Sequence, residues 1–147
     1  MAAYTADNFS QIPFNGAYGN KSSAYGVYTT TTAANLVAAD TVDLVKIPAG
    51  ARVLSGRIIT ATAITTATIA VGIKYSDGTS TGGSTGTAQL SGTGVPLVTA
   101  NAPQQLAFQS FMNDADTIVY ATFVNGAAPG HAIAITAEID YIATGTK

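Results

Sequence analysis

The chain has 147 residues, a formal charge of -2 and a pI near 4.9, and charged residues make up 10% of it, against about 25% in ordinary soluble domains. Folding hides roughly 70% of the extended surface at this size, enough for one core, while six basic residues scattered at Lys21, Lys46, Arg52, Arg57, Lys74 and Lys147 exclude nucleic acid as a partner, because no cluster exists to neutralise a run of phosphates. The lack of cysteine excludes disulfides, thiol nucleophiles and Cys-based metal sites.

Residues 1–28 hold six of the twelve aromatics, Tyr4, Phe9, Phe14, Tyr18, Tyr25 and Tyr28, separated by Gly, Asn, Ser and Pro13. Neither helical nor strand periodicity runs through them. Apolar anchors without a regular pattern predict an extended arm, with Tyr4, Phe9, Phe14, Tyr18 and Tyr25 as its interface residues. The arm's target is a neighbouring chain or its own domain, and the sequence leaves both open. The stretch Met1-Ala2-Ala3-Tyr4-Thr5 has no basic start followed by an apolar core, so no secretory signal is expected.

The remainder, 29–147, is expected to be the folded domain. Its apolar segments are too short for helices, and turn signals recur between them. Strands are predicted over Ala24–Thr32, Thr41–Ile47, Arg52–Ala61, Thr68–Tyr75, Gln104–Phe111, Thr117–Val124 and His131–Ile142, with a short eighth near Thr87–Leu90 or Val95–Val98. Ile47-Pro48-Ala49-Gly50 has proline preset for a turn and glycine at its exit, which reads as a hairpin. Alternation slips between Leu44 and Val45, the mark of a bulge or of burial on both faces. From Ile58 to Ile73 five threonines interrupt the apolar run, short of the ~20 apolar residues of a spanning helix, so no membrane partner is expected.

Ser76–Gly94 contains six glycines and many Ser and Thr, a composition that marks a long polar loop. Asn125-Gly126 and Pro129-Gly130 favour a reversal before the last strand, which predicts Thr117–Val124 and His131–Ile142 as antiparallel neighbours. In that last strand Ile133, Ile135, Ala137, Ile139 and Tyr141 form one face. About eight short strands and no amphipathic helix specify an all-β, antiparallel sandwich or barrel.

Titratable groups are few: one histidine, one glutamate and seven aspartates. His131 opens a strand after a turn, and Ser110 lacks a nucleophile-elbow pattern, so no catalytic residue is expected. Asp114 and Asp116 have a spacing that suits a hard cation, but Asn113-Asp114 reads more simply as a turn. Asp77-Gly78 lacks the repeated acidic ligands of a calcium loop. Gly82, Gly83 and Gly86 are not followed by Gly-Lys-Ser/Thr, so no nucleotide or other cofactor is expected.

The pattern of Val42–Thr79, an apolar strand, Ile-Pro-Ala-Gly-Ala-Arg-Val and a Thr/Ala-rich strand pair ending Lys-Tyr-Ser-Asp-Gly-Thr, resembles a core shared by virion proteins of tailed bacteriophages. Together with Val119–Ile142 it is similar to the small capsid decoration, or cement, proteins. The resemblance implies a jelly-roll-like sandwich that assembles as a dimer or trimer on the outer capsid surface and clamps the major capsid protein, with no enzymatic activity. A surface poor in charge suits such a long-lived assembly. The alternative is a carbohydrate- or receptor-binding module of a tail fibre or surface layer, to which the loop Ser76–Gly94 would contribute.

Overall fold

The computed structural model describes residues 3–9, 20–30, 37–64, 67–77, 90–91, 94–125 and 132–144. These form ten strands: β1 (Ala3–Thr5), β2 (Lys21–Thr29), β3 (Thr41–Ile47), β4 (Ala51–Thr60), β5 (Thr68–Tyr75), β6 (Val95–Pro96), β7 (Gln104–Gln105), β8 (Phe111–Met112), β9 (Thr117–Phe123) and β10 (Ala134–Ala143). They make two sheets, one ordered β1-β3-β9-β5-β6 and the other β2-β10-β4-β7, with β8 also on β4. The protein is an all-β sandwich.

The core lies between the sheets. Alternation in β10 buries Ile135, Ala137, Ile139 and Tyr141 and leaves Glu138 and Asp140 on the outer face. Opposite them β9 and β5 contribute Val119, Ala121, Phe123, Ile69 and Val71. Fully burying one of the larger of these side chains stabilises the fold by about 1.5–3 kcal/mol. In β3 the slip in alternation is a bulge: register shifts between Asp43 and Val45, and Leu44 and Val45 are both buried.

Two pairing expectations are corrected. Thr117–Val124 and His131–Ile142 are not neighbours, because β9 pairs with β3 and β5 while β10 pairs with β2 and β4. The turn Pro48-Ala49-Gly50 likewise joins β3 to β4 across the two sheets, with Gly50 in the left-handed region at φ 72°. Pro48-Ala49-Gly50 is therefore an arch. Turn chemistry says that the chain reverses, whereas burial decides which layer receives the next strand, and here β1 to β5 alternate between the layers while β5–β6 and β7–β8 each stay within one.

The strand expected over Gln104–Phe111 is also broken. Only Gln104–Gln105 and Phe111–Met112 pair with β4, opposite Arg57–Ile58 and Arg52–Val53. The five residues 106–110 therefore span only three of β4, 54–56, and the surplus bows out of the ladder. Leu106 still tucks inward, its backbone N–H donating to the Gly56 carbonyl at 2.9 Å.

Where the β3 and β4 ends meet the turn before β9, Asn113 is buried and links three segments. Its Nδ2 donates to the Ile47 and Pro48 carbonyls at 3.3 Å, and its Oδ1 accepts from Thr117 Oγ1 at 2.6 Å. The Asp116 carboxylate accepts the Ala49 N–H at 2.9 Å. Asn113–Asp116 is thus a turn bonded to the arch it faces, as the turn reading of these residues expects.

Candidate functional site

The N-terminal segment joins one edge of each sheet. β1 runs parallel to β3, with Ala3, Tyr4 and Thr5 opposite Thr41, Val42 and Asp43. The chain then leaves the first sheet: Ala6 N–H donates to the Asp43 carbonyl at 2.8 Å, and Asp7 N–H donates to the Val27 carbonyl at 2.7 Å on the second sheet. Asn8 completes the crossing, since its Oδ1 accepts the Val27 N–H at 2.8 Å and its Nδ2 donates to the Tyr25 carbonyl at 3.0 Å. That amide imitates one peptide unit of a strand paired with β2. Thr29 Oγ1 donates to Asp7 beside it.

Beneath this clasp the sheets approach closely. A Cβ on Gly26 would lie 1.8 Å from the Leu44 carbonyl oxygen, so only glycine fits there. Tyr4 packs its ring 5.7 Å from that of Tyr28, and Phe9 lies under the Lys46 ammonium at 4.9 Å. Burial, reinforced by Tyr4, Asp40 and Asp7, holds the Tyr28 phenol above its ordinary pKa, so it stays neutral. On the far side of the first sheet Lys74 pairs with Asp43 at 2.6 Å and lies over the Tyr120 ring. Burial and then Asp43 raise the Tyr120 pKa.

Of the five residues predicted for an interface, the three that the structure describes do not share one surface. Tyr4 and Phe9 are partly buried against the chain's own core, whereas Tyr25 projects from the outer face of the second sheet, half exposed. Phe14 and Tyr18 lie outside the described residues, as do His131, Gly82, Gly83, Gly86 and most of the loop 76–94. Sequence reasoning did not find Asp7 or Asn8. A short Asp-Asn pair ahead of an aromatic is a turn signal, and nothing in it names the distant strand it binds. Among the described residues no group of three His, Asp or Glu side chains converges to hold a metal ion, and no helix is long and apolar enough to cross a membrane.

No protein-family model and no curated protein matches this chain. Solved structures do. The chain is similar to one in the capsid of Ralstonia phage GP4, at 17% identity and a TM-score of 0.71, over 99% of this chain and 100% of that one. It is similar to a chain in the cyanophage Pam1 capsid asymmetric unit at 19% identity and a TM-score of 0.62, covering 90% and 91%. A third, in the acidic stable capsid structure of Helicobacter pylori bacteriophage KHP30, has 14% identity and a TM-score of 0.56, covering 88% and 92%. At these identities what is shared is the fold.

Proposed function

We propose that this protein is a structural component of a phage virion, a decoration or cement protein that attaches to the major capsid protein on the outer surface of the head. The observation that carries the reading is the end-to-end likeness to a chain of the GP4 phage capsid, 99% of one and 100% of the other. The chain's chemistry agrees with a non-enzymatic role: its Asp116 and Asn113 side chains are engaged in holding an arch.

Attachment is assigned to the N-terminal segment, with its aromatics Tyr4, Phe9, Phe14, Tyr18 and Tyr25 as the proposed interface residues. Tyr4 and Phe9 act from within the clasp, fixing where the segment enters and leaves. A homo-oligomer, dimer or trimer, gains from the same segment, since copies on a lattice combine modest contacts into avid attachment. Mass spectrometry of gradient-purified particles tests the assignment. The protein is expected at many copies per particle and to be released intact by mild denaturant before the shell breaks; its absence from particles overturns the reading. Replacing Phe14 and Tyr18 with serine is expected to lower occupancy with the melting temperature unchanged, and full occupancy would remove these two from the contact.

A further inference from the structure

The outer face of the second sheet carries two polar rows that the fold does not require. In the first, Tyr25 and Arg57 are both register partners of Glu138, and Gln105 is that of Arg57. In the second, Ser23 and Ser55 flank Asp140. Lys21 reaches into it with Nζ 2.9 Å from Asp140 Oδ2, Ser55 Oγ donates to the same oxygen at 2.9 Å, and Ser23 Oγ donates to Oδ1. Arg57 Nε donates to Glu138. These side chains, Tyr25 excepted, line a trough of about 350 Å³, at the small end of the roughly 300–1,000 Å³ of small-molecule sites.

The kind of ligand follows from the chemistry. Two cations and two carboxylates cancel, and each charge already has an opposite neighbour, so a free ion finds no uncompensated centre. The carboxylates still offer unused lone pairs, Arg57 and Lys21 offer unused N–H groups, and the serines and Gln105 both donate and accept. Their positions are fixed by cross-strand bonds on a rigid sheet. A ligand that matches alternating donors and acceptors without charge is one rich in hydroxyls. Tyr25 is the register partner of Glu138 in the first row, and among the described residues it is the one aromatic that is as much as 51% exposed. An exposed ring beside a polar row gives the apolar face of a pyranose somewhere to lie.

We propose that this trough is a saccharide-binding site for a neutral, hydroxyl-rich sugar, hydrogen-bonded by Arg57, Glu138, Asp140 and Gln105 and stacked on Tyr25. The site belongs to the isolated chain, and only its amplification by many copies rests on the virion reading. The trough is at the small end of such sites, and each copy is expected to bind weakly.

The test is a chemical-shift titration of the ¹⁵N-labelled full chain with glucose, galactose, mannose and N-acetylglucosamine. At least one sugar is expected to give saturable shifts at the amides of Ser23–Tyr25, Ser55–Arg57, Gln105 and Glu138–Asp140, with a Kd of about 1–10 mM. Gln105→Ala and Tyr25→Ala, both at exposed positions, are expected to weaken binding about fivefold or more while keeping the melting temperature. No saturable shift with any of the four sugars, shifts confined to other faces, or unchanged binding in both variants overturns the proposal. Because no capsid is present, failure here leaves the particle assignment standing, and failure of that assignment leaves this site standing.

Discussion

Gly26 and Asp140 show how much a single position decides. At Gly26 the obstacle to any side chain is the backbone carbonyl of Leu44 on the facing sheet, which cannot swing away as a side chain does. Gly26→Ala is therefore expected to destabilise the protein by about 3 kcal/mol or more, read from urea unfolding. At Gly56 the contrast is instructive, because an added Cβ meets the far ends of the Ile139 and Leu106 side chains, which can shift where a backbone carbonyl cannot. Gly56→Ala is expected to cost less than Gly26→Ala. Equal losses would show that the sheets are not held at their observed separation.

Partial burial pushes the Asp140 carboxyl up, but hydrogen bonds from Ser23, Lys21 and Ser55 and the charge of Lys21 outweigh it and hold the pKa below its ordinary value. A carboxyl with a lowered folded pKa stabilises the native state above its unfolded pKa of about 3.9 and loses that contribution as pH falls through the folded value. Asp140→Asn is thus expected to be less stable than the native chain at pH 7, with the difference closing in acid below about pH 4. Melting temperatures across that range check it. A difference that persists undiminished in acid would mean that shape, not charge, is what Asp140 supplies.

Among the elements, strand positions were legible in the sequence and strand partners were not. Thr41–Ile47 and Thr68–Tyr75 coincide with β3 and β5, because a half-buried strand writes its period of two into its residues. Pairing leaves no such local record. The signals at Pro48-Ala49-Gly50 and before β10 read as hairpins, and both connect opposite layers, since a reversal fits either an adjacent strand or a facing one. The break between β7 and β8 was equally hidden: a surplus of residues over β4 shows only when the two strands are laid side by side. Of the candidate site, the sequence showed the aromatic anchors of the N-terminal segment but not that Asp7 and Asn8 tie it across both sheets. Asn8→Ala removes the partner of the part-buried Val27 N–H and of the Tyr25 carbonyl, and is expected to cost about 1–2 kcal/mol. Amide exchange at Val27 and along β1 should quicken in this variant. Unaltered exchange would contradict the clasp.

For the whole molecule, the sandwich joins a large apolar interior to a surface with few charges, of which the pairs Lys21–Asp140, Arg57–Glu138 and Lys74–Asp43 are already neutralised across strands. Such a surface does little to repel a neighbour. It suits a protein whose working state is bound to a larger body.

Co-sedimentation of the purified protein with empty capsids lacking it tests this most directly. The account predicts saturable binding, with a fixed number of copies per capsid and capsids that withstand heat better once loaded. Protein that stays in the supernatant at every concentration, with capsid stability unchanged, would contradict it.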